Sequence, residues 1–132
     1  MKILLLVFLL MVAVSSCSTT GVMEDLDATA KAYGIIVRWK NFETADLFAV
    51  SSIRDEFKKR VEEASNVVVA DYRIINVEYD ETMKKATVNA EISYYTLTSN
   101  RVRTLIDKQV WLYGEEKGSK HWRLMTLLPE FK

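Results

Sequence analysis

From Ala86 to Leu97 the chain alternates without a break. Ala86, Val88, Ala90, Ile92 and Tyr94 share one parity, and Thr87, Asn89, Glu91, Ser93 and Tyr95 share the other. Successive strand side chains point to opposite faces, so this segment predicts a strand with one dry face and one wetter face. Such a strand needs partners in a sheet and an apolar layer over its dry side. The partners are legible on both sides. Val67 to Asp80 is rich in β-branched and aromatic residues and reads as a strand, closed by a turn at Asp80–Lys85. Thr98-Ser99-Asn100 leads into a third strand, about Val102 to Tyr113. Gly114 to Lys120 reads as a hairpin loop, and His121 to Leu128 as the last strand, stopped by Pro129.

The covering layer lies upstream. Glu24 to about Lys40 predicts a helix, with Glu24, Asp25 and Asp27 in its first turn, where acids complement the helix dipole. Leu26, Ala30, Tyr33 and Val37 recur at helical spacing, with Ile36 beside them. Gly34 costs a mid-helix position about 1 kcal/mol relative to Ala, which marks a close approach to another element. Thr44 to Val50 predicts a short second helix with Ala45, Leu47, Phe48 and Val50 partly buried. Ser51 or Ser52 caps a third, running to about Ala64 on an apolar stripe of Ile53, Phe57 and Val61. Its Arg54, Lys58, Lys59 and Arg60 are offset by Asp55, Glu56, Glu62 and Glu63, the pattern of a solvated face.

Helices first and four strands after them predict an α+β fold, with N-terminal helices packed on one face of a four-stranded antiparallel sheet. This order, over roughly Glu24 to Phe131, resembles the nuclear transport factor 2-like superfamily, which also holds ketosteroid isomerase-like and polyketide cyclase-like enzymes. The resemblance implies a strongly curved, cone-like sheet, and family members often pair through that sheet as homodimers. A cystatin-like helix-on-sheet domain, or another small α+β lipoprotein fold, is the alternative.

The N-terminus sets the address. Lys2 gives a positive start. Ile3 to Val14 is an unbroken apolar run, shorter than the roughly 20 residues a membrane-spanning helix needs. Val14-Ser15-Ser16-Cys17 then places an aliphatic residue and two small residues before a cysteine. This succession resembles the signal peptide and lipobox of bacterial lipoproteins. The resemblance implies cleavage between Ser16 and Cys17 and lipidation of Cys17. The expected organisation is a signal peptide over 1–16, a lipidated cysteine with a short tether over 17–23, and one α+β domain over 24–132. Two or three acyl chains, at about 0.8 kcal/mol per buried methylene, hold such a protein firmly to a membrane. Ser18, rather than Asp, follows the cysteine, which favours the outer membrane, facing the periplasm.

Composition narrows the chemistry. Lys plus Arg and Asp plus Glu both number 18, and this overall balance gives no electrostatic footprint for nucleic acid or for an anionic membrane surface. Cys17 is the only cysteine and His121 the only histidine, so neither a disulfide framework nor a Cys/His zinc site is expected, and no cofactor is assigned. His121 reads as an exposed edge residue. No Gly-x-Ser-x-Gly or phosphate-cradling loop occurs. Among strand carboxylates, Asp71 and Glu91 are available, but Glu91 shares its parity with Thr87, Asn89 and Ser93 and reads as solvated. Aromatics on strands usually fill cores, and a subset can line a cone mouth. Tyr33, Val37, Tyr94, Trp111 and Trp122 are the candidate pocket residues. The reading is a membrane-anchored envelope lipoprotein with a non-catalytic domain for a small apolar ligand or an envelope protein. The alternatives are an isomerase- or cyclase-like enzyme using an acid in the cone, and a structural subunit of an envelope assembly.

Overall fold

The computed structural model describes residues 17–132, the first four of them as backbone only. The expected signal peptide and Ser16 lie outside the described residues. Helix α1 (Cys17–Arg38) is followed by α2 (Phe42–Ala45), two single 3-10 turns (Asp46–Phe48 and Ser51–Ile53) and α3 (Arg54–Glu63). Strands β1 (Val67–Asp80), β2 (Lys85–Thr96), β3 (Ser99–Glu116) and β4 (Ser119–Leu124) complete the chain order. The four strands lie in the order β1-β2-β3-β4, every neighbour antiparallel, in a sheet that stays open. The α+β class and the helices-then-sheet order hold.

Several boundaries differ from the sequence reading. Ser18–Met23 belongs to α1 rather than to a tether, so Glu24, Asp25 and Asp27 lie well inside the helix and not in its first turn. Tertiary contacts hold this extension: the Val22 carbonyl accepts a hydrogen bond from Trp122 Nε1 at 2.8 Å. The second helix breaks after Ala45 into a 3-10 turn, which turns Leu47 outward. Neither Ser51 nor Ser52 caps α3; the Ser51 hydroxyl bonds Glu116 instead. Strand β4 ends at Leu124, because the chain leaves the sheet once Met125 N has bonded the Val110 carbonyl. The β3–β4 hairpin is tighter than expected. Lys117 and Gly118 both take positive φ, at 53° and 82°, the requirement of a two-residue primed turn.

The core lies between the helices and one face of the sheet. Leu26, Ala30, Tyr33 and Val37 of α1 and Phe57 of α3 meet Ala86, Val88, Ile92 and Tyr94 of β2 and Trp111 of β3. Every inward residue predicted for β2 is buried. Register explains why the first half of that row is small. Ala86 lies between Tyr79 and Trp111, Val88 faces Gln109, and Ala90 faces Asp107. Small side chains in the middle strand leave room for large ones on the strands beside it. Strand β1 is interrupted by irregularities between Val69 and Asp71 and between Ile74 and Asn76, which bend the strand and blunt an open edge. At the other edge, Val50 N bonds the Leu124 carbonyl at 2.9 Å and covers part of β4.

Candidate functional site

Two features stand out, and Tyr72 belongs to both. The first is a polar cluster buried against the inner face of the sheet. Strand parity places Asp107, Gln109 and Trp111 on that face in succession. The Gln109 amide nitrogen donates to the Tyr72 hydroxyl oxygen at 2.7 Å and to Asp107 Oδ2 at 2.9 Å. Its carbonyl accepts from Trp111 Nε1 at 3.2 Å. Gln109 thus has both amide hydrogens and its oxygen engaged, which fixes its orientation. Tyr33 projects from α1, its ring edge-on to Trp111 and Phe48 at 5.7 and 5.6 Å, and its buried hydroxyl has no partner.

Electrostatics follow from dryness. Asp107 is 5% exposed. Burial pushes its carboxyl up to about 6, while the Gln109 hydrogen bond pulls the other way. Burial raises both tyrosines far above the ordinary phenol, with Asp107 adding to each. The cluster sets one acid, whose protonated form burial favours, close enough to two neutral phenols to act on both.

Helix α1 reaches this cluster through Gly34. A Cβ there would lie 2.5 Å from Tyr72 Cε1, so the glycine lets the tyrosine ring pass against the helix backbone. The close approach predicted for Gly34 is met by Tyr72.

The second feature is a groove of about 470 Å³ between α1 and the edge strand β1. One wall is the Tyr72 ring. The others are Ile35, Trp39 and the stems of Lys31, Arg38 and Arg73, with no acid among the lining residues. Ile35 is 61% and Trp39 68% exposed. The Arg38 guanidinium stacks on Trp39, 4.7 Å from the ring centre, and donates to the Val69 carbonyl at 2.9 Å.

The five candidate pocket residues are placed differently from the expectation. Tyr33, Val37, Tyr94, Trp111 and Trp122 are all buried in one core cluster and line neither this groove nor the three other cavities described. The physical reason is mutual packing. Trp122 lies against Tyr79 and Tyr113, and Tyr94 lies against Phe131, with its hydroxyl bonded to the main chain of Lys132. Glu91 sits on the outer face, ion-paired with Arg73 at 3.0 Å, and Asp71 is exposed. His121 is half-buried beside the Ser119 hydroxyl, at 3.1 Å from its Nδ1. Among the described residues no cluster of three His, Cys, Asp or Glu could hold a metal, and no helix is long and apolar enough to cross a membrane.

Sequence reasoning missed Asp107 and Gln109. Their strand shows no clean parity, since Val102, Ile106, Val110 and Leu112 make the opposite face look the more apolar. The one available signal was register: Asp107 and Gln109 share parity with Trp111. Neither known protein families nor curated proteins give a match to the chain.

Proposed function

We propose that this chain is a cell-envelope lipoprotein, anchored through lipid on Cys17, whose domain binds rather than catalyses. The binding site in this reading is the α1–β1 groove. The observation that carries it is the solvent-facing pair Ile35 and Trp39 beside cationic stems, since adjacent apolar side chains left open in a groove suit an interaction. The packed inner face supports the same reading, because the aromatics that could have lined a cone mouth are buried in one core cluster. For the fold we propose the curved, cone-like sheet of the nuclear transport factor 2-like superfamily. Long strands, helices on one face and the bends in β1 support it. The anchoring is tested by Cys17→Ser. We expect loss of lipid incorporation and of membrane fractionation; normal lipid labelling of the mutant would sink the lipoprotein reading.

One observation favours an enzyme instead, the dry Asp107 carboxyl next to Tyr33 and Tyr72. In that second reading Asp107 takes a proton from carbon next to a carbonyl, and a tyrosine hydroxyl stabilises the enolate oxygen. Solvent-deuterium exchange into cyclic ketones, present with the wild type and absent with Asp107→Asn, would bring this reading forward.

A further inference from the structure

The geometry points to an anionic phospholipid surface as the occupant of the α1–β1 groove, with α1 lying flat along the membrane. This inference rests on the lipoprotein reading of Cys17. Three observations carry it. First, α1 is apolar on two sides. Leu26, Ala30, Tyr33 and Val37 face the core, while Ala28, Ala32 and Ile35, with Trp39 just past the helix end, are exposed on the opposite side, where Asp25 is the acid toward the anchored end. A helix apolar on both sides is short of a partner on one of them. Second, the attachment point is continuous with the helix: α1 runs from Cys17 to Arg38. With no irregular tether between anchor and domain, an upright α1 would hold Trp39 about 33 Å from the bilayer, whereas a flat one brings Ile35 and Trp39 to it. Third, the residues around the groove suit a lipid headgroup region. Lys31, Arg38 and Arg73 line it without an acid, and a tryptophan stacked under an arginine is an amphipathic pair of the kind that settles at membrane interfaces. Lys31 is partly offset by Asp27 at 2.8 Å and Arg73 by Glu91, both in exposed pairs that phosphate can compete for. Glu24 and Asp25 lie nearer the anchored end, where acyl chains rather than charge hold the helix down.

Tryptophan fluorescence tests this directly, because Trp111 and Trp122 are buried and Trp39 is the one open to quenchers. The mature lipidated chain is reconstituted into vesicles of phosphatidylcholine and phosphatidylglycerol with brominated acyl chains. We expect brominated lipid to quench Trp39, aqueous acrylamide to lose access to it, and Trp39→Phe to abolish the quenched component. Lys31→Glu and Ile35→Asp, both at exposed positions, should restore acrylamide access. The mass of the mature chain shows first whether Cys17 is acylated; an unmodified cysteine would sink both this inference and the lipoprotein reading. An acylated chain whose Trp39 stays open to acrylamide and untouched by brominated lipid would overturn the flat orientation alone and leave that face for a protein partner. Equal quenching in vesicles of phosphatidylcholine alone would overturn the assignment to anionic lipid.

Discussion

Burial holds the Asp107 carboxyl at about 6, against an ordinary 3.8, even though the Gln109 amide favours the charged form. A folded-state value above the unfolded one means that the folded chain binds the proton more tightly. The resulting stability is complete below about pH 4 and is lost as the pH climbs through about 6. Two pH units at about 1.4 kcal/mol each make that loss about 3 kcal/mol. Tyr33 and Tyr72 stay neutral over this range, because burial raises both. We therefore expect denaturant melts to show stability falling by up to about 3 kcal/mol between about pH 4 and pH 7. Asp107→Asn keeps an oxygen for Gln109 and removes the charge, so it should flatten that slope and raise stability at neutral pH. A wild type whose stability does not change over this interval would show that the carboxyl is hydrated or otherwise partnered. An acid kept where an amide would be more stable is the kind of residue that function retains.

Between elements, the contact of α1 with β1 turns on one missing methyl group. Alanine normally suits a helix interior better than glycine by about 1 kcal/mol. At position 34 the added Cβ meets the Tyr72 ring, whose hydroxyl is held by Gln109, so the ring cannot simply swing away. Overpacking of this kind costs about 1–3 kcal/mol, and Gly34→Ala should be destabilising on balance. In a Tyr72→Ala background the same change should become stabilising, a reversal that a double-mutant cycle reads directly. Strand β2 offers the complementary test. Ile92 is fully buried and Glu91 is on the outer face. Ile92→Ala should cost about 2–5 kcal/mol, and Glu91→Ala about 0.5 kcal/mol or less, since an exposed pair with Arg73 contributes little. Equal costs in denaturant melts would mean that the assigned parity is wrong.

At the scale of the molecule, the segment after β4 ties the sheet to the helices. Leu128 is buried, its carbonyl accepts from Arg60 Nη1 at 3.0 Å, and Phe131 lies between Phe42 and Tyr94. Burying a side chain such as Leu or Phe is worth about 1.5–3 kcal/mol, so deleting residues 127–132 should cost about 3–5 kcal/mol. A thermal melt unchanged by the deletion would show that the segment is not docked. The N-terminal boundary matters equally. A chain cut at Glu24 would lose the Val22 carbonyl that Trp122 uses. A chain lacking residues 1–16 and carrying Cys17→Ser keeps that bond. It should melt cooperatively, at a midpoint that chelator leaves unchanged; a melt that collapses on chelation would reveal a structural metal.

The chain's own periodicities determined the α+β class, the order of elements, the extent of β1, the inward face of β2 and the core stripe of α1. These properties are local: a period near 2 or 3.6 follows from backbone geometry, and apolar residues mark which side is dry. What sets the inward face of β3 is not local. Asp107 and Gln109 look like surface residues until register places them opposite Ala90 and Val88, and until Tyr72 and Trp111, distant or out of hydrogen-bonding view in sequence, satisfy the Gln109 amide. The docking of α1 at Val22 and the path of the chain beyond Leu124 likewise involve partners far along the chain, Trp122 for the first, and Val110 and then Arg60 for the second. The same holds for the groove. The sequence placed Ile35 and Trp39 on a helix, but only the packing of α1 against β1 decided that both would stay in solvent, because the helix's other apolar stripe had already taken the core.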